Sequence, residues 1–231
     1  MRSIRAMFKK QLLDTMKNRF ILIQFIIMPV MAFLLNSLVD MGDDGVPANM
    51  FVTMFAAIFI GMGPVLTTSG AISEDKERKS LRFLVMAGVR QHDYLLGVGG
   101  FIMLVCAIIS VFFGLISGYQ GTALIKFILF LIFGAATSTV LGAAIGIFSK
   151  NQQQATAISV PIFIITSFCP LIAQFNEKVA KIAMVLYTQQ INEITADISL
   201  SALKPFLITL ANLVVFSVLF AIAYKKKGIK G

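Results

Sequence analysis

The sequence predicts an all-α membrane protein that crosses the bilayer with six transmembrane helices. Of its 231 residues, 58% are hydrophobic and the mean hydropathy is +0.87, whereas a soluble domain is about 45–50% apolar. Six stretches are long and apolar enough to cross about 30 Å of hydrocarbon, and none contains Asp, Glu, Lys, Arg or His. They lie at about 20–39, 51–72, 95–117, 127–148, 155–175 and 206–223. Residues 1–231 are therefore expected to form a single transmembrane domain.

Residues 1–19 predict an amphipathic helix that lies on the inner membrane surface before the first span. Apolar side chains recur there at helical spacing, at Ile4, Met7, Phe8, Leu12 and Met16. Basic residues stand between them, which is typical of an interfacial helix. The alternative is a frayed basic tail.

The distribution of Lys and Arg predicts the orientation of the spans. If the N-terminus is cytoplasmic, the cytoplasmic segments hold sixteen of the 20 basic residues. The other side then keeps Lys126, Lys178, Lys181 and Lys204. We therefore expect a multi-pass protein of the cell membrane with both termini in the cytoplasm.

Two segments are expected on the outer side. Residues 40–50 contain Asp40, Asp43 and Asp44 among glycines and a proline, which predicts a short acidic turn. Residues 176–204 alternate apolar and charged side chains, which predicts one or two amphipathic helices at the outer interface before the sixth span.

The fourth span carries small residues at helical spacing, at Gly134, Ser138, Gly142 and Gly146. Small side chains allow helix backbones to approach closely inside a membrane. Such a stripe indicates either fixed packing within one subunit or a seam between subunits or mobile helices.

Residues 73–94, between the second and third spans, are dense in both signs of charge. Glu74 with Arg78 and Asp75 with Lys79 have the i,i+4 spacing that supports a continuing helix. Apolar residues then return at Leu81, Phe83 and Leu84. A short helix of this kind is typical of a segment that docks into a groove of a cytosolic partner. The alternative is a charged connector that only enforces topology.

Several residues together resemble the permeases of the type-two ATP-binding-cassette (ABC) exporters. Lys17-Asn18-Arg19 precedes the first span, and the charged run after the second span resembles the family pattern E-x-E-[KR]-x-G-T-L. The matching residues are Glu74, Glu77, Arg78, Lys79, Ser80 and Leu81, followed by Leu84, Gly88, Arg90 and Tyr94-Leu95-Leu96-Gly97. The pattern has Gly where Lys79 stands, Thr at Ser80 and Pro at Gly88.

This resemblance implies that residues 73–94 form a coupling helix between the spans and an ATPase. The residues expected to act there are Glu74, Asp75, Glu77, Arg78, Leu81, Phe83 and Leu84. The chain has no G-x-x-x-x-G-K-[ST] phosphate loop, so ATP and Mg are expected on separate cytosolic ABC ATPase subunits, two per complex. Six spans make half of a pore, which implies a second, identical or related, permease subunit.

Other function classes find little support in the sequence. The basic residues separate apolar runs and form no nucleic-acid-binding face, and Cys106 and Cys169 lie in apolar runs without metal-site spacing. The single histidine, His92, is too far from Thr67-Thr68-Ser69-Gly70 to act as the base of a hydrolase. No catalytic residue, metal or resident cofactor is expected.

The remaining alternatives to an ABC permease are a secondary transporter and a ligand-sequestering immunity or binding component. A secondary transporter usually carries ionisable residues within its spans, and these spans have none. For a permease, the Phe- and Met-rich spans favour a hydrophobic or amphipathic cargo such as a peptide, a drug or a lipid-like molecule.

Overall fold

The structure, a computed structural model, describes residues 2–39, 49–86 and 88–227, and these form α-helices without any β-strand. Most of the acidic turn predicted at 40–50 lies outside the described residues. The described helices are α1 (Arg2–Lys17), α2 (Arg19–Leu38), α3 (Met50–Glu77), α4 (Ser80–Met86), α5 (Gln91–Ile116), α6 (Gly121–Phe148), α7 (Gln152–Ala173), α8 (Glu177–Ala183), α9 (Tyr187–Ala196) and α10 (Leu203–Lys227).

The prediction of an all-α protein with six spans is confirmed. Helices α2, α3, α5, α6, α7 and α10 are long and apolar enough to cross a membrane. Several are longer than expected: α3 continues to Glu77, and α6 begins at Gly121, so that Lys126 lies inside it. A helix of 28 residues is about 42 Å long and exceeds the hydrocarbon core. Its charged C-terminal end therefore reaches water, where charged residues such as Glu and Lys still favour helix.

Helices α3 and α6 form the centre of the bundle, since about two thirds of the most apolar window of each is buried. Their close contact depends on glycines of α6, which have no side chain to hold the two helices apart. A Cβ atom at Gly142 would lie 2.7 Å from the carbonyl oxygen of Val65, and one at Gly146 would lie 2.9 Å from Cβ of Ile72. These two glycines of the stripe thus pack against α3 of the same chain.

The other half of the stripe contacts both α3 and α9. A Cβ at Gly134 would lie 2.8 Å from Cγ2 of Ile60. Ser138 donates a hydrogen bond of 2.5 Å from Oγ to the carbonyl oxygen of Ile60, and its Oγ lies 2.7 Å from the hydroxyl of Tyr187. Packing within one subunit therefore accounts for all four residues.

Two short helices precede the sixth span as predicted, but α9 does not rest at an interface. Tyr187, Ile191 and Ile194 of α9 are fully buried among α3, α6, α7 and α10. Several of its polar residues find partners inside the bundle; Thr188, for example, donates from Oγ1 to the carbonyl oxygen of Thr166 at 2.5 Å. The Oε1 atoms of Gln189 and Gln190 are buried there without a partner among the described residues. Helix α8, by contrast, is largely exposed.

The N-terminal segment forms the predicted helix, and one of its faces packs against α5. Met7, Gln11 and Thr15 are buried on this face, and the absence of a side chain at Gly97 allows α5 to approach Met7 closely. The other face exposes apolar side chains at Leu12, Leu13 and Met16. An exposed apolar face beside a membrane-spanning bundle is typical of an interfacial helix.

The described helices place α1, α4, the turn between α6 and α7 and the end of α10 on one side of the bundle, here named the terminal face. The hydroxyl of Tyr224 in α10 donates to Oε1 of Gln91 at the start of α5 on this face. On the opposite face Lys126 donates from Nζ to the carbonyl oxygen of Ile198 at 2.5 Å. Most of the charged residues predicted to act lie on the terminal face.

Candidate functional site

The charged segment on the terminal face is built around a break between α3 and α4. The helix α3 ends at Glu77, and Lys79 has a φ of 57°, the left-handed conformation that commonly closes a helix and favours glycine. The seven-residue α4 then begins at Ser80. Lys79 occupies the position at which the resembling pattern has Gly, and the backbone conformation gives the physical reason for that preference.

Asp75 joins three other elements to the end of α3. Its Oδ1 accepts hydrogen bonds from Lys10 Nζ of α1 at 2.5 Å and from Ser80 Oγ of α4 at 2.8 Å. Its Oδ2 accepts one from the hydroxyl of Tyr94 in α5 at 2.8 Å. The expected Asp75–Lys79 pair is wrong, because the helix ends before Lys79. Asp75 is 5% exposed and holds its own chain together.

Lys10 remains charged in this junction. Burial by itself would lower the pKa of Lys10, but the hydrogen bonds and the negative charges of Asp75 and Asp14 outweigh it and raise that pKa above its ordinary value. Asp14, one turn further along α1, lies 3.2 Å from Lys10 Nζ and has a side chain that is 54% exposed. The buried Asp75 therefore has a permanent counter-ion.

Lys76 and Glu77 tie the end of α3 to the turn between α6 and α7. Lys76 donates from Nζ to the carbonyl oxygens of Ile147 and Ser149 at 2.6 and 2.5 Å, at the end of α6. Glu77 Oε2 accepts from the backbone N–H of Gln152 at 2.9 Å, at the start of α7. A cation at a helix C-terminus and an anion at an N-terminus both complement the helix dipole. Together with the bonds of Asp75, these contacts join the end of α3 to five neighbouring helices, α1 and α4 to α7.

Glu74 and Arg78 form the predicted i,i+4 pair, with Arg78 Nη2 2.7 Å from Glu74 Oε1. The Arg78 side chain is 73% exposed and that of Glu74 is 30% exposed. Unlike Asp75, these two charges face outward from the junction.

The apolar residues of α4 divide between the bundle and the outside. Phe83 and Met86 are both 66% exposed, whereas Leu84 packs against the core. The side chain of Leu81 lies outside the described residues. Helix α4 thus exposes two large apolar side chains on a polar, charge-rich surface.

Sequence reasoning missed the internal partners of this segment. Lys10 and Asp75 are 65 positions apart, and Lys76 and Ile147 are 71 positions apart. Their spacing gives no periodic signal within one helix. The available signal in the sequence was an acidic residue at the end of the second span, in a chain whose N-terminal helix carries several lysines.

No other chemistry is assembled in the described part of the chain. It contains no group of three or more His, Cys, Asp or Glu side chains that could hold a metal ion. Cys106 is buried in α5, and His92 Nε2 lies 3.1 Å from Oδ1 of the adjacent Asp93.

One family model, described as ABC-2 type transporter, matches residues 2–178 of this chain. The matched region runs from α1 into α8 and includes the whole junction around Asp75. No curated protein matches the chain.

Proposed function

Because this chain belongs to the ABC-2 type transporter family, we propose that it is the membrane-spanning half of an ATP-driven exporter. ATP and Mg bind to separate cytosolic ATPase subunits, two per complex, since the sequence has no phosphate loop. A second permease, a copy of this chain or a relative, completes the translocation pathway.

The observation that carries this proposal is the construction of α4. The helix presents Phe83 and Met86 outward, while the adjacent α3 end is bonded to α1, α5, α6 and α7. A docking helix held only by a flexible loop would move with the partner without moving the spans. One that is fixed at its base transmits the partner's movement to several spans, because packed elements move as rigid bodies.

The mechanism follows from these contacts. Closure of the ATPases on ATP moves α4, and Asp75 carries the displacement to α1 and α5. Lys76 and Glu77 carry it to the ends of α6 and α7. Glu74 and Arg78 contact the ATPase surface beside Phe83 and fix the docking geometry. We expect the second and third spans, α3 and α5, to tilt first.

We place the terminal face in the cytoplasm and the protein in the cell membrane. Sixteen of the 20 Lys and Arg residues fall in the segments that this orientation makes cytoplasmic, as the positive-inside rule requires. The same orientation brings α4 to the compartment that contains ATP.

We propose a hydrophobic or amphipathic cargo, such as a peptide, a drug or a lipid-like molecule. The spans expose mainly apolar side chains, and their hydroxyl groups are largely used for packing; Ser69 Oγ, for example, lies 2.9 Å from Ser159 Oγ. A sugar or an ion needs dense polar coordination. ATPase activity that responds to polar solutes and not to such compounds would contradict this assignment.

Association with the ATPase tests the docking surface directly. The chain is co-expressed with a candidate ABC ATPase subunit, and the complex is purified through a tag on the ATPase. Phe83→Asp places a charge on the proposed contact and should abolish co-purification. Phe175→Asp is the matched control, because Phe175 is 79% exposed at the opposite face and should leave the complex intact.

Equal recovery of the Phe83→Asp and wild-type complexes would remove α4 as the docking element. Transport by the purified chain without any ATPase would overturn the whole proposal and favour a secondary transporter. Membrane insertion of each variant is checked by fractionation, so that a missing complex is not mistaken for a missing protein.

A further inference from the structure

A polar cleft on the terminal face lies between α1, the start of α2 and the end of α3. Its volume is about 660 Å³, and it is lined by charged and polar residues that include Lys10, Gln11, Lys17, Arg19 and Glu74. The docking helix lies beside it, but the proposed contact residues Phe83 and Met86 do not line it. Glu74 and Arg78, which we assign to the ATPase contact, line one edge of the cleft, but the proposed function gives no role to the wall formed by α1 and the start of α2.

The acidic residues of the cleft all have a charged partner, whereas two of its basic residues have none among the described residues. Its acidic residues are paired: Asp14 and Asp75 with Lys10, and Glu74 with Arg78. Lys17 and Arg19, which stand at the elbow between α1 and α2, form no ion pair within the described part of the chain. Two cations thus remain for an anionic ligand.

Gln11 supplies a neutral polar group in the same wall. Its side chain is 4% exposed and lines the cleft, yet it forms no hydrogen bond to any described residue. Its amide atoms do not belong to the buried polar atoms without a partner, so they have access to the space of the cleft. They can therefore donate hydrogen bonds to a ligand that enters it.

The position of the elbow identifies the source of the anion. Leu12, Leu13 and Met16 on the neighbouring face of α1 are exposed and apolar, and the apolar span α2 begins directly after Arg19. Residues 17–19 therefore lie at the boundary between hydrocarbon and water, where lipid headgroups are found. Arg is well suited to phosphate because its guanidinium donates in a planar fork.

We propose that this cleft binds the phosphate headgroup of an anionic phospholipid from the leaflet at the terminal face. Lys17 and Arg19 contact the phosphate, Gln11 donates from its amide, and the acyl chains pass out toward the lipid around α2. The bound lipid then fastens α1 to α3 next to Asp75.

The test measures lipid binding in a neutral detergent, where no charged membrane surface contributes. Delipidated protein is titrated with phosphatidylglycerol or phosphatidylcholine, and bound lipid is counted by native mass spectrometry. We expect phosphatidylglycerol to bind at least about tenfold more tightly than phosphatidylcholine. The double variant Lys17→Gln/Arg19→Gln should weaken phosphatidylglycerol binding by about tenfold or more.

Two further variants make the result specific. Lys225→Gln/Lys226→Gln removes the same charge from exposed positions near the terminal face, and binding should change by less than about twofold. Gln11→Leu keeps every charge and should weaken binding about fivefold, the effect of one lost hydrogen bond to a charged group. The unfolding temperature without lipid is measured for each variant and should match that of the wild type.

Three results would overturn the proposal. Equal losses in the two double variants would show that binding is non-specific attraction. Displacement of the lipid by millimolar inorganic phosphate would assign the cleft to a free anion. Loss of ATPase association without loss of lipid binding in Lys17→Gln/Arg19→Gln would assign it to the protein partner.

Discussion

A single buried carboxylate organises the terminal face at the residue scale. Asp75 accepts hydrogen bonds from α1, α4 and α5. A carboxylate with three donors and a charged partner is fully satisfied, and replacement of one of its oxygens by an amide nitrogen would remove an acceptor together with the charge. The sequence places Asp75 correctly in a charged helix end, but its partners are distant in the chain and could not be deduced from spacing.

Asp75→Asn tests this role. The asparagine keeps the shape but loses the charge that compensates Lys10, and we expect a loss of about 2 kcal/mol in the free energy of unfolding. Asp14→Asn is the matched control: it removes the other, 54% exposed partner of Lys10 and should cost less than about 0.5 kcal/mol. Thermal unfolding in detergent measures both. Equal effects would show that Asp75 is no more important than a surface charge.

A substitution at Lys79 is expected to raise the free energy of unfolding, in contrast to Asp75→Asn. The positive φ of Lys79 is unfavourable for any residue with a Cβ, so Lys79→Gly should stabilise the protein by about 1 kcal/mol. Lys79→Ala removes the same side chain but keeps the unfavourable backbone, and should leave the unfolding temperature almost unchanged. If alanine stabilises as much as glycine, the effect comes from the lost charge and not from the backbone.

At the scale of elements, the contact between α3 and α6 is the main seam of the bundle. In a membrane, close approach and van der Waals packing replace the hydrophobic effect as the force between helices. The small-residue stripe of α6 could be read from the sequence. Its partner could not, because α3 has no matching stripe and buries Ile60, Val65 and Ile72 instead.

Gly142→Ala measures the tightness of this seam. The new Cβ would lie 2.7 Å from the carbonyl oxygen of Val65, a backbone atom that cannot rotate away, and we expect a loss of about 1–3 kcal/mol. Gly100→Ala is the control, because no heavy atom lies within 4 Å of the new Cβ there. The unfolding temperature of Gly100→Ala should equal or exceed that of the wild type. An equally stable Gly142→Ala protein would contradict the packing.

The segment before the sixth span shows where patterns mislead. Alternating polar and apolar residues in 176–204 predicted helices at an interface, and α9 is instead inserted into the bundle. Hydrophobic periodicity indicates which faces differ in polarity, but it cannot show that the polar face meets other protein groups in place of water. Tyr187 and Thr188 find such partners on α6 and α7.

At the scale of the whole molecule, hydropathy alone is enough to predict the six spans, because the bilayer leaves few alternatives to helices. The coupling site is less predictable. Glu74, Arg78 and Phe83 face outward as expected for docking, whereas Asp75, Lys76 and Glu77 bind their own chain. The same charged run therefore has an outer surface, which we propose docks to a partner, and an inner set of bonds to five helices, α1 and α4 to α7.

The central claim is that those inner bonds carry the force of ATP binding to the spans. Its most direct test is the ATP-dependent change in distance between spin labels at positions 174 and 203, at the ends of α7 and α10, in the complex with the ATPase. Glu77→Ala breaks the bond to the start of α7. Glu177→Ala, which removes an acidic residue from the first turn of α8, is the control.

We predict that the wild type and Glu177→Ala show the same ATP-dependent change in distance. Glu77→Ala should bind the ATPase and hydrolyse ATP at a normal rate. The fraction of its molecules that show the ATP-dependent distance should be about tenfold smaller than in the wild type, as expected for the loss of one charge-assisted hydrogen bond. A Glu77→Ala complex that shows the full change in distance would contradict the account.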